Sequence, residues 1–163
     1  MNTENLKDVP VRERGKKYED FEVGQEIRHH WGRTLNETDN TLFCTLTLHF
    51  NPMYFNTEYA TEIGYQRCPL NPLLVFNTVV GLSVEDLSEG GGPFLGIDNL
   101  SFHQPVYPGE TIYAKSIVRF KRESSSNPGH GVVSWHTQGV KKDGTVLLEF
   151  DRTNLSYKRG KSQ

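Results

Sequence analysis

In the stretch LTLHFNPMYFNTEYA, residues 46–60, an imidazole and a phenol flank an Asn-Pro pair: His49 and Tyr54 stand on either side of Asn51-Pro52. A histidine with its ordinary pKa of about 6.5 can take or give a proton near neutrality, whereas a tyrosine at about 10 is a poor base but a good hydrogen-bond donor. His49 is therefore the candidate base and Tyr54 the candidate acid or water-orienting donor. The structural use of the same residues would have His49 packing at a subunit seam and Tyr54 capping a short helix. Asn51 is expected to fix the turn through its side chain, a substrate contact being its other use.

Downstream, CPLNPLLVFNTVVGLSVEDLS opens with Asn71-Pro72. Asn71 is a good helix cap whose amide could also face a pocket, and Pro72 suits the first helical position because its missing N–H would have no partner there. The backbone N–H groups of Leu73 and Leu74, exposed at the helix start and aided by its dipole, are candidate donors to a developing oxyanion. Arg67 before this helix, and Arg122 beside Arg119 and Lys121 in RFKRE, could meet phosphates; a solvated strand face is the plainer use.

Other chemistry finds little support. The six histidines lack metal-ligand spacing, so no metal is expected. His103 precedes QPVYPG on a strand, and His29, His30, His130 and His136 read as surface positions. Cys44 and Cys68 have no metal spacing and are expected to be reduced packing residues. No phosphate-binding glycine loop is present, which argues against nucleotide hydrolysis and dinucleotide cofactors. A net charge of −2 over 163 residues does not suggest nucleic acid or anionic membranes as partners. No apolar run is long enough to span a bilayer, and residues 1–20 lack a hydrophobic leader, so a cytoplasmic location is expected.

The elements that must position these groups follow from local signals. The polar segments 1–17 and 158–163 read as a loose arm and tail around one domain, 18–157. A strand is expected near 25–32. A helix then follows Asn36, with Glu37 and Asp39 in its first turn and Leu42, Phe43 and Leu46 as its buried face. A short helix follows Asn56 and stops at Gly64. The segment from Pro72 to Ser88 is apolar nearly all round, so it reads as a helix buried on most sides. After EGGGP the period changes to that of four long strands, with Pro108-Gly109 and Asp143-Gly144 at turns and a long connection at 123–131. Long antiparallel strands need a cover for one face, and the greasy helix is its only source. The expected class is α+β, an antiparallel sheet wrapped round one buried helix. At 35% apolar residues the core is modest, and dimerisation is one remedy.

Fragments in this order resemble the MaoC-like dehydratase family of hotdog-fold enoyl-CoA hydratases, over about residues 18–157. They are Phe21-Glu22-Val23-Gly24, the run from Arg33 to Asp39, Asn51-Pro52 in its loop, the central helix, and Phe102 to Thr111 around Pro105-Val106-Tyr107-Pro108-Gly109. The central segment looks closer to the branch hydrating mesaconyl-CoA or itaconyl-CoA. The resemblance implies a hotdog fold, an acyl-CoA or acyl-carrier thioester as substrate, CoA only as part of that substrate, and a homodimer or higher oligomer with the pocket at its interface. The implied activity is hydration or dehydration of a thioester; hotdog thioesterase and non-catalytic acyl-CoA-binding subunit are the alternatives. The family's glycine falls on Leu48, its catalytic aspartate on His49 and its catalytic histidine on Tyr54. Its His-Gly at the central helix falls on Asn71-Pro72, and a proline has no N–H to offer.

Overall fold

The computed structural model describes residues 15–160, so most of the expected arm and tail lies outside the described residues. Five strands, Glu26–Thr34 (β1), Phe94–Phe102 (β2), Thr111–Glu123 (β3), His130–Val140 (β4) and Val146–Tyr157 (β5), form one sheet in the order β1-β3-β4-β5-β2. All four pairings are antiparallel. Three helices, Glu37–Leu46 (α1), Thr57–Glu62 (α2) and Pro72–Leu87 (α3), lie between β1 and β2 in sequence. Among the described residues no helix is long and apolar enough to cross a membrane.

Each helix starts where a side chain satisfies its first N–H groups. Asn36 and Asp39 bond each other's backbone N–H at 3.0 and 2.9 Å, a capping box for α1. Asn56 accepts from the Tyr59 N–H for α2, and Asn71 from the Leu73 N–H for α3. Asp143-Gly144 turns the β4–β5 hairpin, with Gly144 at φ +90°.

The sheet packs one face on α3. Val75, Val79, Ser83 and Leu87, four apart, form the buried row of that helix. Val79 meets β4 at Gly139, where any Cβ would stand 2.6 Å from a valine methyl, so the helix approaches as closely as it does only because the side chain is missing. Two apolar clusters result. One surrounds the first half of α3 with Leu70, Val106, Ile112, Leu148 and Phe150; the other joins Leu87 to Phe21, Val118, Val133 and Trp135. Polar groups lie between them. Arg152, 1% exposed, reaches from β5 to the hydroxyls of Ser83 and Ser88 at 3.1 and 3.0 Å and lies against the Trp135 ring. With no carboxylate among these contacts, burial pulls its pKa down to about 10.

Three expectations need correction. The buried residues of α1 are Asn40 and Cys44, while Leu42 and Leu46 are 58% and 74% exposed. The helix turns polar groups inward because they bond the loops beside it, not because of apolar periodicity. The central helix keeps an exposed strip, Leu73, Asn77, Gly81 and Val84. And His29 is buried: its Nδ1 lies 2.7 Å from Asp86 Oδ2 on α3, and its Nε2 lies 2.9 Å from the Ser116 hydroxyl, which meets Thr137 at 2.8 Å.

Candidate active site

The end of α1 decides where His49 goes. Thr47 ends the helix, and Leu48 takes φ +58°, a left-handed conformation that glycine adopts without strain. The His49 N–H then donates back to the Cys44 carbonyl at 2.8 Å, and the Leu48 N–H to Thr45 at 3.4 Å. These two bonds are a Schellman closure with a leucine in the usual glycine place. They return the chain across α1 and leave the His49 ring half-buried, edge-on to Phe43. Asn51 accepts from the Met53 N–H and starts a single turn of 3-10 helix, Pro52–Tyr54, that delivers Tyr54.

One buried asparagine joins these loops to α3. Asn40 Nδ2 donates to the Tyr54 carbonyl at 3.0 Å and, more weakly, to Pro69 at 3.4 Å; its Oδ1 accepts the Asn71 N–H at 2.7 Å. Asn71, with no exposed surface, accepts the Leu73 N–H on Oδ1 at 2.9 Å, and its Nδ2 lies 2.6 Å from His49 Nδ1 and 3.7 Å from Cys44 Sγ. His49, Tyr54, Asn51, Asn71, Leu73 and Leu74 thus gather at the start of α3. The Leu73 N–H is taken by its own cap, which leaves the Leu74 N–H as the remaining donor of the expected two.

Beside this end of α3 opens a cavity of about 250 Å³ whose walls include Tyr54, Tyr65, Pro72, Val75, His103 and Gln104. Burial raises the pKa of Tyr54, so the phenol keeps its proton and is available as a donor. His103 stands at the rim with Nε2 3.4 Å from Glu149 Oε1. A hydrogen bond from Gln138, with His136 and His103 alongside, lowers the Glu149 pKa against the opposing effect of burial and keeps it a carboxylate. Arg67 is near this end, donating to the Pro108 carbonyl at 2.9 Å with its guanidinium over Tyr107. Arg122 is the next-to-last residue of β3, pairing with Val132 and bonded to the Glu123 carbonyl, at the opposite end of the strand from Thr111 and the cavity. Lys121 is committed to the carbonyls of Tyr18 and Phe21. Sequence reasoning missed Asn40; an asparagine at an interior helical position, where its propensity is poor, was the available signal.

The mesaconyl-CoA hydratase family model matches residues 2–162. A mesaconyl-CoA hydratase of Haloarcula hispanica is 38% identical over 150 residues, which are 91% of this chain and 42% of that protein. Among solved structures, a MaoC domain protein dehydratase of Chloroflexus aurantiacus superposes with a TM-score of 0.84 at 35% identity, over 89% of this chain and 41% of that one. A Mycobacterium tuberculosis protein with a double hotdog fold superposes with a TM-score of 0.82 at 19% identity, over 91% of this chain and 46% of that one. The wrapped sheet is therefore a hotdog fold, and the chain spans less than half the length of these relatives. The chain belongs to the mesaconyl-CoA hydratase family.

Proposed function

We propose that this chain forms one hotdog unit of a hydratase/dehydratase that adds water to enoyl-CoA thioesters or removes it from 3-hydroxyacyl-CoA thioesters. The observation that carries the reading is a cavity lined by Tyr54, His103 and the first residue of α3, Pro72, with His49 bonded to the Asn71 cap of the same helix. About 250 Å³ suits a short acyl head with its thioester rather than a whole coenzyme, so the CoA moiety runs outside, past Arg67.

Addition puts the water oxygen on C3 and a proton on C2, with negative charge passing through the thioester oxygen. The Leu74 N–H, at the positive end of α3, and the Tyr54 hydroxyl are donors for that oxygen or for the water. A base must take the water's proton through an open lone pair and, as the oxygen bonds to C3, pass that proton to C2. His49 Nδ1 is already occupied by Asn71, whereas His103 meets Glu149 through Nε2 and has Nδ1 left over, so the base role passes to His103. The exposed apolar groups Phe94, Leu95 and Phe102 on the edge strand β2, with the open strip of α3, suit a second hotdog unit, either another copy or a related domain.

Crotonyl-CoA and mesaconyl-CoA, followed by loss of the enoyl absorbance, test the reading. Tyr54→Phe and His103→Ala should each lower kcat by about 10²–10⁴. Release of free thiol from a saturated acyl-CoA would indicate a thioesterase instead. Silence in both assays with CoA binding retained would indicate a binding subunit.

A further inference from the structure

Every link in the path to His49 has a direction fixed by a backbone group that cannot reverse. The carbonyls of Tyr54 and Pro69 only accept, so the Asn40 end that faces them is its NH₂; the Asn71 N–H only donates, so the Asn40 end that faces it is its oxygen. The Leu73 N–H likewise only donates, so Asn71 turns its oxygen to the helix and its NH₂ to the imidazole. The Cys44 thiol closes the ring consistently, its S–H toward Asn40 Oδ1 at 4.0 Å and its sulfur toward Asn71 Nδ2 at 3.7 Å. His49 Nδ1, at 2.6 Å from that NH₂, is an acceptor, and the ring's proton is on Nε2.

We propose that Asn40 and Asn71 are positioning residues that hold His49 as its Nε2–H tautomer, so that the ring serves a thioester or enolate oxygen as a hydrogen-bond donor rather than as the base. The identity of that oxygen rests on the hydratase reading; the tautomer does not. A neutral imidazole used this way adds a third donor to Leu74 and Tyr54, one whose aim is set by a cap that α3 needs in any case.

Nitrogen-15 spectroscopy of histidine-labelled protein, recorded without substrate, should show His49 Nδ1 as the bare nitrogen and Nε2 as the protonated one. Asn71→Asp keeps a good helix cap but presents only oxygen to the ring, and should move the proton to Nδ1. Should that variant fail to fold, Asn71→Ser keeps the cap without the amide and should give a mixture of tautomers. A proton on Nδ1 in the unaltered protein, or a spectrum indifferent to residue 71, overturns the proposal. In the assembled enzyme His49→Gln, which keeps an N–H donor but cannot titrate, should stay within about tenfold of the starting kcat/KM. His49→Ala should lose about 10²–10³. Equal loss in both overturns the donor role. Absence of hydration with the Nε2–H signature intact would count against the hydratase reading alone.

Discussion

Replacing Asn40 by alanine isolates the energetic weight of the junction between α1, the Tyr54 loop and α3. The side chain is almost fully buried, and its removal strands the Asn71 N–H inside a residue with no exposed surface. An unpaired buried donor costs about 1–3 kcal/mol, and the enclosure of Asn71 argues for the middle of that range or above. The Tyr54 carbonyl adds about 1 kcal/mol because Tyr54 is only half-buried and water can partly replace the amide; the long 3.4 Å bond to Pro69 adds little. Against this, alanine is the better helix former by roughly 0.6 kcal/mol. The net loss is about 2–3 kcal/mol, or a fall in Tm of roughly 5–10 °C for a chain of this size. Urea denaturation at fixed protein concentration measures it, with the exposed neighbour variant Thr41→Ala as the control expected to stay within about 0.5 kcal/mol. A loss from Asn40→Ala no larger than the control's would refute the view that this amide ties the three segments together.

Further perturbations probe other parts of the frame. Leu48→Gly relieves a left-handed leucine, worth about 1–2 kcal/mol, against the roughly 0.4–1 kcal/mol that glycine adds in unfolded freedom; the exposed side chain loses little packing, so the melt should rise slightly, and a fall would show that Leu48 is buried in the assembly. Burial outweighs the opposing bond and charge of Asp86 and holds His29 below its ordinary 6.5. The folded state then binds fewer protons than the unfolded one, so stability falls as pH drops from 6.5 toward the folded value, by at most about 1.4 kcal/mol per pH unit. Urea midpoints from pH 7.5 to 5.5 should show a slope that His29→Gln shrinks; equal slopes in the two proteins would contradict this. Arg152→Met removes a buried cation that, among the described residues, meets two serine hydroxyls and an aromatic face, and it fills most of the same volume, so stability should change by less than about 1 kcal/mol or improve. Arg152→Ala should cost roughly 2–4 kcal/mol through lost packing, and a methionine variant as weak as the alanine one would mean that the charge itself is required.

What was legible in the sequence is what local physics determines. Asn36, Asn56 and Asn71 start their helices as their side chains dictate, and the change from helical to alternating period after residue 93 marks the onset of the long strands. These signals need no knowledge of distant partners. The errors arise where a residue's environment is supplied from far along the chain. Leu42 and Leu46 have the right spacing for a buried face, yet α1 turns Asn40 and Cys44 inward because residues 54, 69 and 71 bring carbonyls and an amide to meet them. His29 reads as a surface strand histidine, and is buried because Asp86 and Ser116 arrive from 57 and 87 positions away.

The site inherits the same division. That His49 sits near the start of α3 follows from the family resemblance and the Asn-Pro cap. Its chemistry does not, because the residue type alone offers both a lone pair and an N–H, and the choice between them is made by the direction of one amide. That direction is set in turn by the Leu73 N–H, a group that exists as a free donor only because Pro72 begins a helix. The proline that removes one oxyanion donor from the helix start thus helps fix the cap that turns His49 into another. A substituted catalytic position need not be a lost one when the scaffold around it still specifies which atom carries the proton.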